Sequence, residues 1–270
     1  MIRTIGMIGA GNMGSAILRG IVEAEYVRAS QVIAFDTNRK RMRELEEDLP
    51  GISLAADCLE VAERADLIIL AVKPIFVSEI IDQIKSALNG KAVLSIAAGW
   101  TVSMLEKALD HSGATYMRVM PNTPALVGEG MTALCDESTF SKEDFDFVKG
   151  IFDAIGKTMI LPERLFDGVV ALSGSSPAYV YMMIEAMADA AVKEGIPRVH
   201  AYEMAAQSVL GSALMVLSTG THPAALKDAV CSPGGTTIEA VEELERKGFR
   251  AAIMDAMKVC AEKSRNMSSK

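Results

Sequence analysis

The chain has 270 residues, half of them hydrophobic and 23% charged, a globular composition that excludes disorder. A formal net charge of −8 excludes nucleic acid or an anionic membrane as the main partner, and no apolar run reaches membrane-spanning length. Cys58, Cys135, Cys231 and Cys260 form no close pair and the three histidines are scattered, so no metal site, C-x-x-C centre or His-based triad is expected. The N-terminal MIRTIGMIGAG meets glycines too early for a signal peptide, so reduced thiols and a cytoplasmic setting are expected.

In chain order, Thr4–Ile8 reads as a buried strand, Met13–Ala24 as a helix, Gln31–Phe35 as a second strand and Arg39–Leu49 as a charged helix. Leu67–Val72 is apolar on both faces, which fits the middle of a covered parallel sheet. Ala92–Ile96 and Tyr116–Val119 continue the strands, with helices at Phe76–Leu88 and Val102–Leu109 between. Met131–Cys135 and Lys157–Leu161 are further strands, flanking a helix at Lys142–Ala154. Strands alternating with helices predict a doubly wound, mostly parallel α/β sheet.

After Pro162 the chain is almost entirely helix-forming, with runs at Pro177–Glu194, Val199–Leu217, Ala224–Val230, Ile238–Lys247 and Phe249–Asn266. This predicts two domains, a Rossmann domain over 1–162 and an all-α domain over 163–270. Met182, Met183, Met187, Met204, Met215, Met254 and Met257 fall at helical spacing, which reads first as core and second as a subunit interface.

Gly9-Ala10-Gly11-Asn12-Met13-Gly14 is G-x-G-x-x-G between a strand and a helix, the context in which the pattern cradles a dinucleotide. Gly9 permits the turn, Gly11 admits the pyrophosphate and Gly14 lets helix and strand approach. Asp36 ends the second strand about twenty residues on, where an acidic side chain meets the adenosine ribose. That carboxylate favours NAD, whereas the run Asn38-Arg39-Lys40-Arg41 suits the 2′-phosphate of NADP; the residues leave the choice open. Ala71-Val72-Lys73-Pro74, Ala97-Ala98-Gly99 and Pro121-Asn122 follow successive strands, where a doubly wound sheet binds its ligand, and are further candidate cofactor contacts.

A second site is expected at Ser232-Pro233-Gly234-Gly235-Thr236-Thr237. A glycine turn opening a helix aims free N–H groups at one spot beside two hydroxyls, which suits a carboxylate or phosphate. A plain helix start, with Glu239 and Glu242 facing the dipole, accounts for the same residues.

GAGNMG, AVKP, SIAAG, MPNTP, SGSSPAY and above all DAVCSPGGTTIEAVEELE resemble the pyrroline-5-carboxylate reductase family across essentially the whole chain. The resemblance implies a C-terminal dimerisation domain and reduction of L-Δ1-pyrroline-5-carboxylate to L-proline by NADPH or NADH, usually NADPH. It implies homodimers that assemble further into rings such as decamers, and a helical turn facing a cofactor held by the other subunit. Ser232, Gly234, Gly235, Thr236 and Thr237 then bind the substrate, with the Thr237 hydroxyl near the ring nitrogen. Two positions depart from the pattern: Cys58 stands where many relatives carry Asn, and Ser176 replaces a common glycine. A protonated imine is already electrophilic, so no strong acid is needed and catalysis is largely positioning.

Two other readings share the cradle. A β-hydroxyacid dehydrogenase needs a Lys early in its first long helix, and Ser173–Val192 contains none, Lys193 coming at the far end. A non-catalytic dinucleotide-sensing protein has no use for the second anion site.

Overall fold

The computed structural model describes residues 4–268. The chain divides into two compact units, one made of the residues up to Ser175 with those from Cys260 on, the other of Ser176–Val259.

The first unit is built on eight strands: β1 (Ile5–Ile8), β2 (Val32–Phe35), β3 (Ser53–Leu54), β4 (Leu67–Leu70), β5 (Ala92–Ser95), β6 (Thr115–Met120), β7 (Gly130–Cys135) and β8 (Gly156–Leu161). Their order across the sheet is β3-β2-β1-β4-β5-β6-β7-β8, parallel except for the antiparallel β6–β7 pair. The helices between them are α1 (Asn12–Glu23), α2 (Arg39–Asp48), α3 (Cys58–Arg64), α4 (Pro74–Ile84), α5 (Val102–Leu109) and α6 (Lys142–Asp153).

Side-chain alternation on β4 shows why the sheet is covered twice. Leu67 and Ile69 enter one apolar core with Ile17, Leu18 and Phe152, while Ile68 and Leu70 enter another with Val61, Val77 and Ile81. Gly6 on β1 lets α3 lie close, since a Cβ there would stand 2.6 Å from Val61 Cγ1. The chain leaves β1 toward β2 and β3, then returns to β4 on the other side. The strand order therefore reverses between β1 and β4, and a crevice opens beyond their carboxyl ends.

The sequence missed β3 and α3, a two-residue strand and a seven-residue helix too short to show periodicity. The helix expected at Phe76–Leu88 begins at Pro74, which is tolerated in a first turn, and gives way to a 3-10 turn at Lys85–Ala87. Beyond β8, α7 (Phe166–Val169) runs into a π-helical turn at Val170–Gly174.

The second unit holds α8 (Ser176–Lys193), α9 (Arg198–Thr219), α10 (Pro223–Val230), α11 (Thr236–Arg246) and the start of α12 (Phe249–Ser268). Ala188, Ala201 and Ala205 are buried on α8 and α9, whereas Met182, Met187, Met204, Met215 and Met254 are exposed. The methionine stripe is therefore not core within this chain. It forms an apolar surface of the kind that a partner covers. Among the described residues no helix is long and apolar enough to cross a membrane.

Candidate active site

The loop after β1 is shaped by three glycines in different ways. Gly9 has φ +101°, and a Cβ on it would meet the Ala71 carbonyl oxygen at 2.5 Å. A Cβ on Gly14 would lie 2.1 Å from the Gly9 carbonyl oxygen. On Gly11 the nearest atom would be Arg41 Nη1 at 3.7 Å, so this side of the loop is open. Gly11 also caps α1 without any side-chain bond to the first N–H groups. An open concavity in front of uncapped helical N–H groups fits a pyrophosphate, and a β-carbon would fill it.

Asp36, half-buried, locks this loop. Its Oδ2 accepts the Ala10 N–H at 2.8 Å and its Oδ1 accepts the Asn38 N–H at 2.8 Å. Asn38 caps α2, its Oδ1 accepting the N–H groups of Lys40 and Arg41. Arg41 borders the cleft beside Gly11 and Asn12, whereas Arg39 is exposed and lines none of the three clefts at the strand ends.

A cavity of about 400 Å³ continues from Gly9 past Asp36, Cys58, Val72 and Phe76. Burial, then the charges of Asp57 and Glu79, pushes the Cys58 thiol up to about 11, so it faces the cavity as a neutral group. A second cleft, about 210 Å³, is lined by Met13, Ala71, Ala97, Ala98, Pro121 and Asn122, and by Gly174. The small residues after β5 leave a flat wall there.

Nearly every predicted cofactor residue thus lies at the carboxyl end of a strand: Gly9–Gly14 after β1, Asp36 after β2, Ala71 and Val72 after β4, Ala97–Gly99 after β5, Pro121 and Asn122 after β6. Lys73 is exposed and forms the N-cap of α4, which Pro74 opens. The Asn122 amide is committed within the protein, Nδ2 donating to the Ser173 carbonyl at 3.0 Å and Oδ1 accepting the Met131 N–H at 2.8 Å.

Two anchors escaped the sequence reading. The Trp100 indole N–H donates to the Pro74 carbonyl at 2.9 Å, joining the loops after β4 and β5. Arg118 is buried on β6, donates from Nη1 to Glu163 Oε1 at 2.8 Å and lies over the Phe166 ring. Glu163 Oε1 also accepts the Val102 N–H at 2.6 Å, so this pair ties the segment after Pro162 to the sheet. Only the isolated occurrence of a Trp and of an Arg inside a strand pattern could have signalled either.

In the helical unit, Ser232 to Thr237 form one turn. Gly234 has φ +65°, the Gly235 N–H donates to the Ser232 carbonyl at 3.0 Å, and Gly235 is the N-cap of α11. No side chain caps α11; Ser232 and Thr236 are exposed and Thr237 half-buried. The turn therefore offers the first N–H groups of an eleven-residue helix beside the two threonines.

The chain matches the pyrroline-5-carboxylate reductase dimerisation family over residues 163–267 and the NADP oxidoreductase, coenzyme F420-dependent, family over 4–99. It is 49% identical over 269 residues to the pyrroline-5-carboxylate reductase of Escherichia coli K12, covering 99% of each chain. It is 42% identical to that of Methanosarcina acetivorans, covering 98% of each. The crystal structure of Plasmodium falciparum pyrroline carboxylate reductase with NADP bound superposes with a TM-score of 0.90 at 32% identity, covering 98% of each chain. The protein belongs to the pyrroline-5-carboxylate reductase family.

Proposed function

We propose that the chain reduces L-Δ1-pyrroline-5-carboxylate to L-proline with NAD(P)H as a last biosynthetic step, and that each active site combines the cradle after β1 with the turn before α11. The observation that carries this reading is that both sites occur in one chain, with 49% identity to a named reductase over its full length. We divide the chain into a dinucleotide-binding domain, 1–162, and a helical domain, 163–270, which the matched region at 163–267 supports.

Bound NAD(P)H supplies the hydride. Gly9, Gly11, Gly14 and the N–H groups of Asn12 and Met13 would hold its pyrophosphate, Ala10 would keep the loop in place through its bond to Asp36, and Asp36 would meet the adenosine ribose. Asn38 and Arg39 are assigned to the adenosine end, and Ala71–Pro74 to the dinucleotide between its two halves. Ala97, Ala98, Gly99 and Pro121 form the wall for the nicotinamide, and Asn122 holds that wall in place.

The N–H groups at Thr236 and Thr237 seat the substrate carboxylate, with Ser232, Gly234 and Gly235 shaping the turn. The Thr237 hydroxyl orients the ring nitrogen. The imine arrives protonated, so hydride addition at carbon yields the neutral amine and the chain need not deliver a proton in that step. What the residues contribute is placement, worth on the order of 7–11 kcal/mol at best.

The family's dimerisation region and the exposed methionines support a homodimer formed through the helical domain, with larger rings built from it. The cradle of one subunit would then meet the α11 turn of the other. We read the protein as cytoplasmic, where four thiols and a reduced cofactor are both stable. The test is oxidation of NADPH or NADH on adding pyrroline-5-carboxylate, with proline as product. Absence of turnover with either cofactor sinks the reading.

A further inference from the structure

The last two turns of α12 belong to the same compact unit as the sheet. Ala261 and Ser264 are 9% and 4% exposed there, an inward face on an otherwise exposed helix. Three contacts leave that face at helical spacing. The Cys260 thiol donates to Ser175 Oγ at 3.2 Å. The Ser264 hydroxyl donates to Asp167 Oδ1 at 2.6 Å. Met267 comes so near the loop after β5 that a Cβ on Gly99 would stand 3.1 Å from its own Cβ.

Two of these contacts fall beside segments that frame one cleft, and the Ser264 contact holds α7, which runs into the second of them. Ala97 and Ala98, just before Gly99, line one wall of the 210 Å³ cleft, and Gly174, just before Ser175, lines another. Both are connecting backbone, a loop turning at Gly99 with φ +79° and a π-helical turn. The loop takes its position from what packs behind it, and the π-helical turn, closed by the Ser175 N–H on the Val170 carbonyl at 2.8 Å, is seated against α12 through Ser175. α12 lines no part of the cavity past Asp36 and Cys58.

We propose that the C-terminal turns of α12 brace the nicotinamide end of the cofactor cleft, with Ser264 and Met267 as positioning residues. The inference rests on reading that cleft as the nicotinamide site. Loss of the brace loosens two walls around the nicotinamide and leaves the adenosine end unchanged.

The test compares whole dinucleotides with fragments that lack nicotinamide. Calorimetric titration of the full-length protein gives dissociation constants for NADPH, NADH, 2′-phospho-ADP-ribose and ADP-ribose. Ser264→Ala and Met267→Gly should weaken the dinucleotides roughly 3–10-fold, the scale of one lost hydrogen bond or contact, and leave the fragments unchanged. Asp167→Asn, which keeps the acceptor oxygen, should stay near wild type. Asp167→Ala replaces Ser264→Ala if that variant does not fold. Equal weakening of dinucleotide and fragment overturns the brace in favour of general loosening, and so does no weakening of either. A wild-type protein that binds neither dinucleotide overturns the reading of the cleft, and the brace with it.

Discussion

Asp36 accepts the backbone N–H of Ala10 at 2.8 Å, so the residue expected to meet the cofactor ribose also holds the glycine loop shut against β2. Its other oxygen is taken by the Asn38 N–H. The carboxylate is thereby fixed in orientation at the edge of the cavity, where its charge suits a donating hydroxyl and opposes a phosphate.

Replacing Asp36 with Ala therefore has two separable effects. The ratio of kcat/KM for NADPH over NADH should rise, because a negative charge leaves the adenosine end. Stability should fall by about 1–3 kcal/mol, because two N–H groups lose their acceptor. Steady-state kinetics with both cofactors and urea denaturation read these independently; an unchanged cofactor ratio removes Asp36 from the specificity argument.

Gly11 and Gly14 should respond differently to the same change. Gly14→Ala forces a carbon to within 2.1 Å of the Gly9 carbonyl and should destabilise the domain by about 1–3 kcal/mol as well as abolish cofactor binding. Gly11→Ala meets only Arg41 Nη1 at 3.7 Å, so the fold should hold while cofactor affinity falls. Thermal unfolding beside calorimetric titration separates the two, and equal loss of stability in both variants contradicts the assignment of Gly11 to the open side.

Thr237→Ala should lower kcat/KM by roughly 10²-fold if its bond to the substrate strengthens in the transition state. Mixing a Gly11-defective chain with a Thr237-defective chain should restore part of the activity in heterodimers. Verified heterodimers without activity would argue that each site is completed within one chain.

Burial pushes the thiols of Cys58 and Cys135 up to about 11 from an ordinary 9.0. The unfolded chain releases these protons near pH 9 while the folded chain keeps them. Stability should therefore be full below pH 9 and decline as the pH rises through 11. Urea midpoints across that range check it, and a slope unaffected by Cys58→Ala together with Cys135→Ala counts against this origin.

Much of the fold was legible because burial writes itself into local order. Leu67–Leu70 is apolar at every position, and the structure sends alternate residues to two different cores. The glycine spacing from Gly9 to Gly14 was equally legible, since each glycine answers a local steric demand. Contacts between distant positions were not. Arg118 and Glu163 stand 45 residues apart, and neither has a local feature that names the other. Asn122 offered a donor and an acceptor, but only the fold shows both spent on Ser173 and Met131. The methionines were ambiguous for another reason: an apolar helix face looks the same in sequence whether its cover comes from the same chain or a second one.

Trp100 is the only tryptophan in the chain, and its ring follows directly on the Ala97–Gly99 wall with its N–H given to Pro74. The protein therefore carries its single indole fluorophore beside the proposed hydride-transfer position. Reduced nicotinamide absorbs where tryptophan emits, so quenching of Trp100 emission by energy transfer becomes a label-free optical record of cofactor arrival and oxidation, undiluted by any other indole.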